Sequence, residues 1–169
     1  INNPKEKINN VDIDGDGTQE VVVGNALYRP DGTAIWFNNQ VDGATAVADF
    51  DLDGTPEIVV VYEGNVRLQD ATGAVLWTSA LPGQGGGGPP TIADFDGDGV
   101  PDVGTAGGIG YAVFSGKQLI DPNVNGPQTI LWIKQTKDCS SASTGSSVFD
   151  FDGDGKAEVV YSDQNRLRV

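Results

Sequence analysis

The sequence predicts an all-β chain assembled from repeated small sheets, and three observations predict it. A nine-residue acidic pattern, Asp-x-Asp-x-Asp-Gly-x-x-Asp/Glu, occurs four times. Each copy stands between short β-branched or alternating apolar runs, the composition of strands bounded by turn residues. Trp36, Trp77 and Trp132 each fall in the last such run of their unit, so the strands repeat along with the acidic pattern.

In chain order, residues 1–8 are polar and read as a lead-in or a short strand, and the repeat begins at Asn9. The first acidic loop is followed by a run from Glu20 to Gly24, a second from Asn25 to Tyr28, a turn at Pro30-Asp31-Gly32, and a third run from Thr33 to Phe37. The second unit repeats this order. Ala44 to Ala48 leads into its loop, Glu57 to Tyr62 leaves it, and Asn65 to Leu68, the turn at Thr72-Gly73 and Ala74 to Trp77 follow. Gly32 and Gly73 each precede a tryptophan by four residues, and Asn25 matches Asn65. A unit is therefore four strands, one before the loop and three after it. The third unit has Pro90 to Ala93, then Val103 to Ala106, Tyr111 to Phe114 and Thr129 to Trp132. The fourth has Ser146 to Phe149, Val159 to Tyr161 and Asn165 to Val169, and ends where its turn and tryptophan would come.

The first aspartates of the loops stand at 12, 49, 94 and 150, and the growing intervals come from insertions. Residues 82–89 are a Gly-rich connector, residues 115–128 widen a turn, and residues 135–145 form a Ser-rich link holding Cys139. Loops of this kind serve equally as spacers or as binding surface.

The acidic loops carry the chemistry. Two carboxylates at ~4 Å oppose each other by about 4 kcal/mol at an effective dielectric of 20, so four within nine residues call for a counter-charge. Spacing at positions one, three and five lets one turn aim alternate side chains at a single point. Glycine at position six permits the bend, and the carbonyl at seven can join. Hard oxygen donors in a flexible loop suit calcium. An Asp-Gly turn stabilised only by solvent remains the alternative for a single copy, and four complete copies count against it.

Four loops with four carboxylates each hold 16 of the 24 acidic residues, so the formal charge of -14 is largely ligand inventory. No basic stripe exists to neutralise phosphates, which argues against nucleic acid as a partner. Histidine is absent and Cys139 is the only cysteine, which excludes the usual zinc sites, a Ser-His-Asp triad and a Cys-His pair. No apolar run reaches the ~18 residues of a membrane span, and no signal peptide is visible. A chain starting at Ile1 without methionine reads as a processed protein or part of a longer one.

Four short strands per unit of roughly 40 to 50 residues are the pattern of a β-propeller blade. The approximate blades are 9–40, 41–81, 89–134 and a partial 145–169 within a single region 1–169. On its four loops, and on entries into them such as Val47-Ala48-Asp49-Phe50-Asp51 and Ile92-Ala93-Asp94-Phe95-Asp96, the chain resembles the FG-GAP/VCBS repeats, the calcium-loop propellers related to the integrin α-subunit head. The resemblance implies four calcium sites. The first would use Asp12, Asp14, Asp16, Glu20 and the Thr18 carbonyl; the second Asp49, Asp51, Asp53, Glu57 and the Thr55 carbonyl. The third would use Asp94, Asp96, Asp98, Asp102 and the Val100 carbonyl; the fourth Asp150, Asp152, Asp154, Glu158 and the Lys156 carbonyl. An EF-hand is rejected because position twelve is Val23, Val60, Thr105 or Tyr161, none a carboxylate, and the flanks are not helix formers.

Relatives usually close a ring of about seven blades, whereas this chain holds three full units and part of a fourth. Further blades beyond Val169, an outer strand supplied by residues 1–8, or association between molecules would each cover the bare faces. The expected role is a secreted or cell-surface module with structural calcium, binding a protein or glycan ligand. One alternative is part of a secreted polysaccharide lyase or hydrolase, whose acid and base would have to come from Asp70, Asp121, Asp138, Lys134 or Tyr111. Another is a self-assembling structural subunit.

Overall fold

The computed structural model describes residues 9–117, 130–137 and 144–169. These residues form fifteen β-strands and no helix. The strands fall into four antiparallel sheets, each a simple up-and-down meander. The first contains β1 (Asn9–Val11), β2 (Glu20–Val23), β3 (Ala26–Tyr28) and β4 (Ala34–Phe37); the second contains β5 (Ala44–Ala48), β6 (Glu57–Tyr62), β7 (Asn65–Gln69) and β8 (Val75–Ala80). The third contains β9 (Thr91–Ala93), β10 (Asp102–Ala106), β11 (Gly110–Phe114) and β12 (Ile130–Gln135). The fourth has three strands, β13 (Ser146–Phe149), β14 (Glu158–Ser162) and β15 (Leu167–Arg168). Contacts run from β1 to β5, from β5 to β9 and from β9 to β13, so the first strands of successive sheets lie side by side.

In every sheet the acidic loop joins the first strand to the second, and the residue before the loop pairs with its last carboxylate. These pairs are Val11 with Glu20, Ala48 with Glu57, Ala93 with Asp102 and Phe149 with Glu158. The third strand carries a register shift at the same place in three sheets, at Leu27/Tyr28, Leu68/Gln69 and Val113/Phe114. The extra residue lies opposite, in the fourth strand, at Ile35, Leu76 and Leu131, as in a β-bulge. Asn25 and Asn65, matched in sequence, do not match in place. Asn25 sits in the turn after Val23, whereas Asn65 already pairs with Tyr62, because β6 extends two residues further than β2.

The core lies between the sheets. Because side chains alternate along a strand, a central sheet uses one set for each neighbour. In β6, Ile58 and Val60 pack with Ile13, Val22 and Leu27 of the first sheet, while Val59 and Val61 pack with Val103, Ala112 and Phe114 of the third. In the third sheet, Ala106, Tyr111 and Val113 turn the other way, against Val159 and Tyr161 of the fourth. β10 and β11 are accordingly buried along their whole length, as strands covered on both faces must be.

Position two of the acidic loop completes each interface. Ile13, Phe50 and Phe95 are all buried, one in each of the three clusters. In these three loops a hydrophobic side chain and the last carboxylate are buried, while the carboxylates at positions three and five stay exposed.

Candidate metal loops

The four loops share one hydrogen-bond scheme. The position-nine carboxylate accepts the backbone N–H of position two: Glu20 from Ile13 (2.9 Å), Glu57 from Phe50 (2.9 Å), Asp102 from Phe95 (2.9 Å) and Glu158 from Phe151 (2.8 Å). The position-one aspartate accepts from the position-six glycine, as Asp12 does from Gly17 (2.9 Å) and Asp150 from Gly155 (3.1 Å). The position-five aspartate accepts from the residue at seven: Asp16 from Thr18, Asp53 from Thr55, Asp98 from Val100 and Asp154 from Lys156, at 2.7 to 2.9 Å. Backbone N–H groups reach both oxygens of Asp49, Asp94, Asp102 and Asp150, so the loop backbone fixes how these carboxylates are oriented.

Carboxylate oxygens of Asp12, Asp14 and Glu20 all lie within 4.8 Å of one another, as do those of Asp49, Asp51 and Asp53, of Asp94, Asp96 and Asp102, and of Asp150, Asp152 and Glu158. Two oxygens bound to one calcium at about 2.4 Å cannot be more than about 5 Å apart, so the spacing suits a shared ion. The donors are oxygen only. Asp12 Oδ1 is buried with no hydrogen-bond partner among the described residues, an acceptor that a cation would satisfy. The four clusters can therefore hold a metal ion. Asp16, Glu57, Asp98 and Asp154 lie in the same loops but outside these tightest groups of three.

Electrostatics point the same way. Glu57 and Asp102 are almost fully buried at the starts of β6 and β10. Burial, reinforced by the neighbouring loop aspartates, pushes Glu57 up to about 7 and Asp102 up to about 6. Such carboxylates are costly to ionise without a positive partner. Asp102 also accepts from Gly116 N (2.8 Å), tying its loop to the residues after β11.

Sequence reasoning singled out position six and missed position four. The glycines at six have φ between 85° and 93°, but the residue at four is left-handed as well: Gly15 (74°), Leu52 (60°), Gly97 (80°) and Gly153 (75°). The signal was present as Asp-Gly-Asp-Gly in three of the four loops. Leu52 is the exception, and its exposed side chain gains no packing to offset a strained backbone.

Of the candidate catalytic groups, Asp121 and Asp138 lie outside the described residues, as do Cys139, residues 1–8 and most of the 115–128 and 135–145 loops. Asp70 is a turn residue, accepting from Thr72 N, Thr72 Oγ1 and Ala74 N. Tyr111 and Lys134 do come together. They line a groove of about 280 Å³ between the third and fourth sheets, walled by Phe95 and Trp132 and edged by Lys156 and Arg168. Tyr111 is buried, its hydroxyl lies 2.7 Å from Ser146 Oγ, and burial raises its pKa, the wrong direction for a base. Arg168 Nε donates to Asp163 (2.7 Å), whose pKa is lowered chiefly by the backbone N–H groups of Lys137 and Asn165.

Comparison with solved structures finds the crystal structure of the V. cholerae biofilm matrix protein Bap1, with a TM-score of 0.56 at 19% identity. The likeness covers 83% of this chain and 24% of that one, so this chain spans about a quarter of that length. At this identity the likeness speaks for fold alone. No curated protein matches the chain. A family model described as FG-GAP-like repeat matches residues 49–105, which run from the first aspartate of the second loop through the whole third loop into β10. That stretch holds two acidic loops and strands β6 to β9, and over it the chain is similar to an FG-GAP-like repeat.

Proposed function

We propose that the chain is a calcium-braced β-propeller segment serving as an extracellular, adhesion-type binding module for a glycan or protein. The coincidence of an FG-GAP-like repeat with four loops of one geometry carries this reading. The four meanders would be blades, with β1, β5, β9 and β13 innermost, which is consistent with the contacts between those first strands. In the first loop, Asp12, Asp14, Asp16, Glu20 and the Thr18 carbonyl would hold the ion, and the corresponding residues would do so in the other three. The cation supplies positive charge at the rim. The protein's contribution is to hold position nine, at the start of the second strand, against position two, the side chain wedged between sheets. Loading a loop would then stiffen an interface, coupling metal binding to folding.

Extracellular calcium modules bind at about 0.1 to 1 mM, filling outside cells and staying empty in the cytosol. The similar fold in a biofilm matrix protein supports an extracellular setting. No described helix is long and apolar enough to cross a membrane. Ligand contacts would come from the loops that differ between units, 82–89, 115–128 and 135–145, and from the groove, where Trp132 offers a flat face and Lys134 and Lys156 offer charge to an acidic sugar. The same groove is the observation favouring the lyase alternative, and turnover separates the two. Binding alone predicts retention of an acidic oligosaccharide with no rise in unsaturated product absorbance.

The deciding experiment is a thermal melt with calcium titrated in and chelator then added back. A midpoint that rises with calcium and falls with chelator is expected, with about four ions per chain by calorimetry. An unchanged midpoint would sink the structural role of the metal.

A further inference from the structure

Position eight of each acidic loop stands between two proposed ligands, the carbonyl at seven and the carboxylate at nine. In the second and third loops position eight is Pro56 or Pro101, which has no N–H to give. In the fourth it is Ala157, and its N–H donates to the backbone carbonyl of Asp94 at 3.0 Å. Asp94 is position one of the third loop. Among the described residues no other hydrogen bond joins one acidic loop to another. A side-chain contact accompanies this one. The stem of Lys156, position seven of the fourth loop, lies over Gly97, position four of the third, so that a Cβ on Gly97 would stand 3.3 Å from Lys156 Cγ.

The Lys156 carbonyl and the Ala157 N–H belong to one planar peptide group. Its oxygen is the position-seven ligand proposed for the fourth loop, and its N–H holds the residue around which the third loop is gathered. Asp94 accepts from Gly97 and Asp98 on Oδ1 and from Gly99 on Oδ2, so displacing its backbone displaces the turn. A cation on the Lys156 carbonyl would also polarise the peptide and make its N–H a better donor. Through-space electrostatics work the other way, because an ion in one loop weakens the negative field at its neighbour. That effect is common to every adjacent pair of loops and is screened by salt, whereas the bond is present at one pair.

We infer that the third and fourth loops fill with calcium as a coupled pair, each raising the affinity of the other, while the first and second fill independently. The coupling rests on the reading that the loops hold calcium, and adds a regulation that only one neighbouring pair possesses.

The test is a calcium titration of the 169-residue chain followed in nitrogen–proton correlation spectra. Gly17, Gly54, Gly99 and Gly155 each donate to the first aspartate of their own loop, so each amide reports one site. Asp152→Ala disables the fourth loop. It should raise the calcium concentration at which Gly99 responds about fivefold and leave Gly17 and Gly54 in place. By reciprocity Asp96→Ala should move Gly155 by the same factor. Both carboxylates are exposed, so neither substitution opens the core. Ala157→Pro gives the fourth loop the residue that the second and third already carry at that position, and removes the donor. In that background Asp152→Ala should move Gly99 no further. A Gly99 response unmoved by Asp152→Ala overturns the coupling and leaves the calcium sites standing, as does a shift that survives in full after Ala157→Pro. Four glycines indifferent to calcium would overturn the sites themselves, and the coupling with them.

Discussion

The second sheet meets its two neighbours by different chemistry. Toward the third sheet it presents Val59, Val61, Val66 and Leu68, closed over Phe50 and Phe114 in a wholly apolar cluster. Toward the first sheet, the alternate residues of β7 are Arg67 and Gln69, both buried. Arg67 Nη2 donates to the carbonyls of Gly24 (2.7 Å) and Val41 (3.1 Å), its Nη1 also donates to Val41 (3.0 Å), and its guanidinium lies 4.8 Å from the Tyr62 ring. Gln69 accepts from Asn38 Nδ2 (2.9 Å) and from Arg67 Nε (3.1 Å), and donates to Gly24 (3.2 Å). Burial lowers the Arg67 pKa, and among the described residues no carboxylate reaches it as an ion pair. One interface is held by shape, the other also by direction. The Gly24–Asn25 turn and the link at Val41 have carbonyls to satisfy, and a guanidinium with five donors satisfies them from one strand position.

The largest expected effect breaks the apolar side. Phe50→Ala should lower stability by about 4 kcal/mol, read from denaturant midpoints, because the cavity lies between sheets that cannot easily close on it. On the polar side Arg67→Ala should cost about 3 kcal/mol, by stranding the Val41 carbonyl, leaving the Gly24 carbonyl to Gln69 Nε2 alone and emptying a buried site. Arg67→Met, similar in length but unable to donate, should recover only part of that loss. If Arg67→Met matched the parent, the guanidinium would be packing only, and the contrast would vanish.

The apolar interface also has carboxylates at its loop end, Glu57 and Asp102, and these set a pH response. Both have folded pKa values above their ordinary ones, so the metal-free folded state holds protons that the unfolded chain releases. Their contribution is fully present below about 4 and lost as pH rises through about 6 to 7. In chelator, stability should therefore fall across that window, on the order of 2 kcal/mol after allowance for partial solvation. In calcium the trend should reverse, since acid then displaces the cation. Melts at pH 4.5 and 7.5, with and without calcium, check the sign.

Smaller effects sharpen the same contrast. Trp36 Nε1 donates across the first interface to the Ala71 carbonyl (2.9 Å), whereas Trp77 Nε1 at the second is buried with no partner among the described residues. Trp36→Phe should cost about 1 kcal/mol and Trp77→Phe less, by chemical denaturation. Last, Leu52→Gly should raise stability by about 0.5 kcal/mol, since relief of the left-handed strain slightly exceeds the entropy glycine adds to the unfolded chain.

Much of the site was legible because its information is local. Spacing at one, three, five and nine within a single turn brings Asp94, Asp96 and Asp102 together whatever surrounds them, and Trp36 and Trp77 mark strand order without any tertiary contact. The left-handed residue at position four was readable from Asp-Gly-Asp-Gly and was overlooked. The groove at Trp132 was not readable, since it joins β12 of the third sheet to β14 and β15 of the fourth, and only the packing of the two sheets brings them together.

By itself the sequence determined the strands, their meander order and the converging loop carboxylates, because hydrogen-bond pairing of neighbours and carboxylate repulsion act over a few residues. Only the tertiary structure decided which neighbour each strand face meets. Period-two alternation says that Arg67 and Leu68 point opposite ways, but not which way leads to a sheet needing donors. Nor could it say that Phe50 and Phe95 are buried while Phe151, in the same motif, is bare. Burial belongs to the sheet that packs on top, and among the described residues none packs on Phe151.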